Sequence, residues 1–127
     1  MDHKARALIY GAAQGGLRTL RAYSSTFDIV GFVDSDESKH GRGAFAGLDV
    51  FSPEQSLSVD VDFILVATGA VTSVKQFYGQ SSSLLSKLVI VPKSIRLGCN
   101  ARGKVIFWLF LAYLLLPFVL LLALWAK

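Results

Sequence analysis

The 127-residue chain has room for one domain of ordinary size, and its single cysteine, Cys99, excludes an intrachain disulfide or a cysteine metal framework. Its formal charge of +4 is unevenly placed: residues 1–92 are close to neutral, while 93–127 hold Lys93, Arg96, Arg102, Lys104 and Lys127 with no acid. These bases flank an apolar stretch, where anionic headgroups explain them better than nucleic acid, so no nucleic acid is expected as a partner.

In chain order, Ala7 to Tyr10 is a short apolar run stopped by Gly11, which suits the first strand of a parallel sheet. Leu17 and Leu20, reaching toward Phe27, follow a helical spacing with Arg18 and Arg21 on other faces. Ile29 to Val33 is a second strand ending at Asp34, and the polar, turn-forming Ser35 to Gly43 has no reason to pack tightly. A short extended piece, Leu48 to Phe51, precedes Ser52-Pro53-Glu54-Gln55. There Ser52 can cap a brief helix, Pro53 suits its first position and Gln55 can complete a capping box. Val61 to Thr68 reads as a central strand covered on both faces. A weakly amphipathic helix over Val71 to Tyr78 follows, then a further buried strand from Lys87 to the terminating Pro92. The pattern predicts an α/β fold: a small doubly wound, Rossmann-like parallel sheet of four or five strands, its strand order left open.

The turn after the first strand carries the chemistry. In a full dinucleotide fingerprint, one glycine makes the turn, a second admits pyrophosphate to the backbone and a third lets helix and strand touch. Gly11, Ala13 and Gly16 hold those places, with Gly15 additional. The alanine methyl stands where phosphate would come closest. Gln14 to Gly16 would open a helix whose free N–H groups suit an anion. Asp34, 18 residues after Gly16, is placed to accept from ribose hydroxyls, and Thr68 and Gly69 could line the crevice. The ligand expected of such a site is a nucleotide or nucleotide sugar. The alternative is that the glycines only permit a tight crossing.

No catalytic machinery emerges. His3 and His40 have no persuasive partner, and Ser81, Ser82 and Ser83 lack the strand-elbow setting of a nucleophile. No metal site is expected, and the chain alone is expected not to be catalytic.

Val105 to Ala126 is a run of 22 uncharged residues, about 33 Å long as a helix and enough to cross a hydrocarbon core of roughly 30 Å. Pro117 interrupts it, so the expectation is either one kinked membrane helix or a re-entrant helix–break–helix. Trp108 and Trp125 suit interfacial belts in both. The chain then divides into a Rossmann-like domain (1–92), a basic juxtamembrane linker (93–104) and a membrane segment (105–127). Its charged N-terminus shows no secretory signal, which places the domain in the cytoplasm at the cytoplasmic membrane.

IYGAAQGG, DIVGFVDSDESKHGRGAFAGLDVF, DFILVAT and the proline-interrupted KVIFWLFLAYLLLPFVLLLALWAK together resemble bacterial polyprenyl-phosphate sugar-phosphate transferases and related polysaccharide-biosynthesis proteins. The family's catalytic Asp-Glu pair lies beyond the membrane segment, so no residue here takes that role. The resemblance implies a membrane-attached, non-catalytic module in envelope-glycan assembly that senses a nucleotide or holds a partner. That partner would be a lipid bilayer, a membrane glycosyltransferase or a second copy. An N-terminal fragment of such a transferase is the alternative.

Overall fold

The computed structural model describes residues 3–80, 82–98 and 101–125. Its elements are β1 (Arg6–Tyr10), α1 (Gln14–Tyr23), β2 (Asp28–Val33), a 3-10 turn (Glu37–Lys39), β3 (Gly41–Phe45), β4 (Leu48–Phe51), α2 (Pro53–Ser56) and β5 (Phe63–Val66). They continue with α3 (Val71–Tyr78), α4 (Ser82–Leu85), β6 (Leu88–Ile90), α5 (Lys93–Arg96) and α6 (Ala101–Trp125).

The strands form one six-stranded sheet in the order β3-β4-β2-β1-β5-β6. All neighbours are parallel except β3, which runs antiparallel to β4. Alternation along the central strands sends side chains to two cores. Ala7 and Ile9 join Phe32, Leu65 and Val91 on one face, where Leu20 and Tyr23 of α1 and Ile95 of α5 pack. Leu8 and Tyr10 join Val33, Ile64 and Val66 on the other, beneath Val74 and Tyr78 of α3. Burial on both faces is why β1 and β5 read as unbroken apolar sequence. The doubly wound α/β architecture is as the sequence predicts.

Three details differ. The sheet has six strands because the segment expected to be loose is ordered. Asp36 accepts from the backbone and hydroxyl of Ser38, and the chain then enters β3. Ala46 and Gly47, both at positive φ, return it along β4. Next, β6 is an edge strand with β5 on one side only; Val89 and Ile90 are exposed rather than buried. Finally, residues 93–104, read as a linker, include α5, which packs against α1.

The C-terminal region brings the largest correction. Residues Ala101–Trp125 form one continuous helix with Pro117 inside it. Proline removes a single backbone bond, and the leucine-rich sequence around it sustains the helix, so there is no helix–break–helix. Among the described residues, no helix is long and apolar enough to cross a membrane. For the described residues this overturns the expected membrane helix, the lipid bilayer as partner and the cytoplasmic-membrane location. The membrane-attached glycan-assembly role falls with them. The side chain of Trp108 and all of Ser81, Cys99 and Lys127 lie outside the described residues.

Candidate functional site

Gly11 leaves β1 at φ +119, a conformation that favours glycine, and its N–H donates to the Val33 carbonyl at 2.7 Å. A Cβ on Gly16 would run into the Gly11 carbonyl oxygen, so α1 starts directly against the end of β1. These two glycines are thus required by the crossing itself. Ala13 is the N-cap of α1, extended and exposed, and no side chain caps the helix. The first α-helical bond runs from Leu17 N–H to the Ala13 carbonyl, which leaves the N–H groups of Gln14, Gly15 and Gly16 without an intrahelical acceptor. The first turn also carries no acid. Its partial positive charge is uncompensated by any side chain of its own.

Asp34 is more engaged than the sequence suggests. One carboxylate oxygen accepts from Ala12 N–H at 2.8 Å and the other from Asp36 N–H at 2.9 Å. Lys39 Nζ lies 3.7 Å away, and the Asp34 side chain is only 13% exposed. The carboxylate therefore fastens the glycine turn to the end of β2, with spare lone pairs for a hydroxyl. His40, which seemed partnerless, places Nε2 2.6 Å from the Asp34 carbonyl. Tyr10, at the end of β1, keeps its phenol proton above the usual range through burial first, then the negative charges of Asp34 and Glu54.

The strand order reverses direction between β1 and β5, so the crevice at their carboxyl ends is a topological switch point. Thr68 and Gly69 lie there. The Thr68 hydroxyl accepts from Ala70 N–H at 3.3 Å, and the backbone of Ala67 faces Gly11. Beyond Asp34, a cleft of about 820 Å³ opens between the segment that follows β2 and the junction of β4 with α2, with Ser35, Glu37, His40, Asp49 and Phe51 among its walls. The structure thus aligns three of the sequence-predicted parts along one edge: the turn, Asp34 and the Thr68–Gly69 segment. The cleft was not legible in the sequence, since its walls come from separated loops. Arg18 and Arg96 were also missed: Arg18 read as lying on another face of its helix and Arg96 as a juxtamembrane base, yet Arg18 Nη1 donates to the Arg96 carbonyl at 3.0 Å. Among the described residues, no group of three or more His, Cys, Asp or Glu could hold a metal ion.

A doubly wound sheet with a glycine turn at its switch point defines a Rossmann-like domain. No family model and no curated protein matches the chain. Among solved structures it is similar to UDP-D-quinovosamine 4-dehydrogenase from Vibrio fischeri, with 19% identity over 79% of this chain and 89% of that one, at a TM-score of 0.56. That likeness is one of fold. The resemblance to the sugar-phosphate transferases is not upheld, because the broken membrane segment it relied on is a continuous helix and, among the described residues, no helix is long and apolar enough to cross a membrane.

Proposed function

We propose that the domain binds a nucleoside diphosphate, free or as a nucleotide sugar, along the carboxyl ends of β2, β1 and β5. The uncapped start of α1 at the switch point carries this reading: three backbone donors and the positive end of the helix face the crevice without a side-chain acceptor of their own. Asp34 is positioned for the ribose, and the cleft beyond it has the size for a base. The similar solved structure from Vibrio fischeri is named for a UDP-sugar, which supports the same ligand class.

Ala13→Asp tests the reading with two opposed effects. The residue is exposed and extended, so an aspartate there can cap the helix and should stabilise the domain by about 1 kcal/mol. The same carboxylate occupies the anion position and should abolish nucleotide binding. Calorimetry of the chain with UDP, ADP, UDP-sugars and NAD should show saturable heat for at least one ligand, lost in Ala13→Asp while the thermal midpoint rises. A folded wild-type chain giving no heat across that panel would leave the glycines with their packing role alone.

A further inference from the structure

The glycine turn supplies backbone donors but no cation, since α1 opens with Gln14, Gly15 and Gly16. A cation arrives from the other end of the domain. The backbone of α5 passes beside the helix start: a Cβ on Gly15 would stand 3.5 Å from the Arg96 carbonyl oxygen and 3.8 Å from the Arg96 Cβ. Arg18 holds α5 in place through its bond to that carbonyl and lies against the left-handed Gly98 that ends the segment. From this anchored backbone the Arg96 side chain reaches the end of β5, where Nη1 is 3.7 Å from the position a Cβ on Gly69 would take. Its Nε is enclosed and has no hydrogen-bond partner among the described residues. No carboxylate forms an ion pair with it among those residues either. An enclosed guanidinium N–H without an acceptor is costly, so the side chain gains by turning its guanidinium onto a bound anion.

We propose that Arg96 clamps the diphosphate of the ligand, with Arg18 as the positioning residue that sets the clamp. This rests on the nucleotide reading above and adds to it the side chain that selects a diphosphate. The planar guanidinium offers paired N–H groups that match phosphate oxygens, while the helix start holds the same group from its backbone. Two contacts from elements at opposite ends of the domain make α5 part of the site.

The test is calorimetry on the full chain with UDP and ADP, and with uridine and adenosine as phosphate-free controls. Arg96→Gln and Arg96→Ala should weaken diphosphate binding at least tenfold and leave nucleoside binding unchanged. Arg96→Lys should retain part of the affinity, and Arg18→Gln should fall between. Because Nε has no partner to lose, Arg96→Gln, which keeps much of the packed stem, should not lower the thermal midpoint of the ligand-free chain. Equal diphosphate affinity in the wild type and Arg96→Gln would overturn the clamp and leave the nucleotide reading standing. A wild-type chain that binds neither UDP nor ADP would overturn both.

Discussion

Tyr78 is fully buried, and its hydroxyl lies 2.6 Å from Ser56 Oγ. Ser56 gives its own proton to the Pro53 carbonyl, so Tyr78 is the donor in the pair. The two deletions should therefore differ. Ser56→Ala leaves a buried phenol proton unpaired and should cost about 1–3 kcal/mol, whereas Tyr78→Phe leaves Ser56 bonded to Pro53 and should cost about 1 kcal/mol. Urea midpoints measure both, and equal costs would contradict this direction of donation. Burial pushes the Tyr78 pKa up to about 12. An unfolded tyrosine ionises near 10, so between those values the unfolded chain loses a proton that the folded chain keeps. Stability from this group is full below about pH 10 and falls as pH rises toward 12. Tyr78→Phe should flatten that alkaline limb, read as urea midpoints from pH 9 upward. At this scale the positive φ of Gly11 was legible, because only glycine takes it without strain. The role of Asp34 was only partly legible, since its two backbone donors belong to the folded turn.

Among the elements, the β3–β4 hairpin shows local chemistry that the sequence half conceals. Its turn residues, Ala46 and Gly47, have φ of 52° and 75°. The pattern suits a tight hairpin whose central residues are usually Asn or Gly. Alanine pays the left-handed cost there, so Ala46→Gly should raise stability by about 0.5–1 kcal/mol. A lowered thermal midpoint would show that the alanine methyl has a packing role. The capping box was legible in full: Ser52 accepts from Gln55 N–H at 3.1 Å, and the Gln55 side chain accepts from Ser52 N–H at 2.9 Å. Four adjacent residues suffice to specify it. The α3 span matches its sequence pattern for a similar reason, with Val74 and Tyr78 one turn apart and buried. The edge position of β6 was not readable, because its short apolar run looks the same with one neighbour or two.

At the scale of the molecule, two cores share one sheet, and the α1 side depends on a helix seated against a strand end. Gly16→Ala should break that seat, because its methyl meets backbone at Gly11 and an aromatic edge at Phe32. Overpacking of this kind should cost at least about 1–3 kcal/mol. It should appear as a lowered thermal midpoint together with loss of any nucleotide binding. Hydrogen exchange of the β1 amides should quicken; unchanged protection and midpoint would mean that α1 can shift outward freely. The described side chains of α6 are exposed and apolar, which hydropathy alone turns into a membrane span.

By itself the sequence determined the α/β alternation, the glycine crossing, the capping box and the apolar strands covered on both faces. Each arises from neighbours a few residues apart or from a periodicity that burial imposes. Tertiary structure decided the strand order, the hairpin added at the β3 edge, the hold of Asp34 on the Ala12 amide, the bond from Arg18 to the Arg96 carbonyl and the approach of Arg96 to Gly69. The partners in those arrangements are separated along the chain by up to 78 residues, as for Arg18 and the Arg96 carbonyl. No local propensity encodes such a meeting; the winding of the chain around one sheet brings it about.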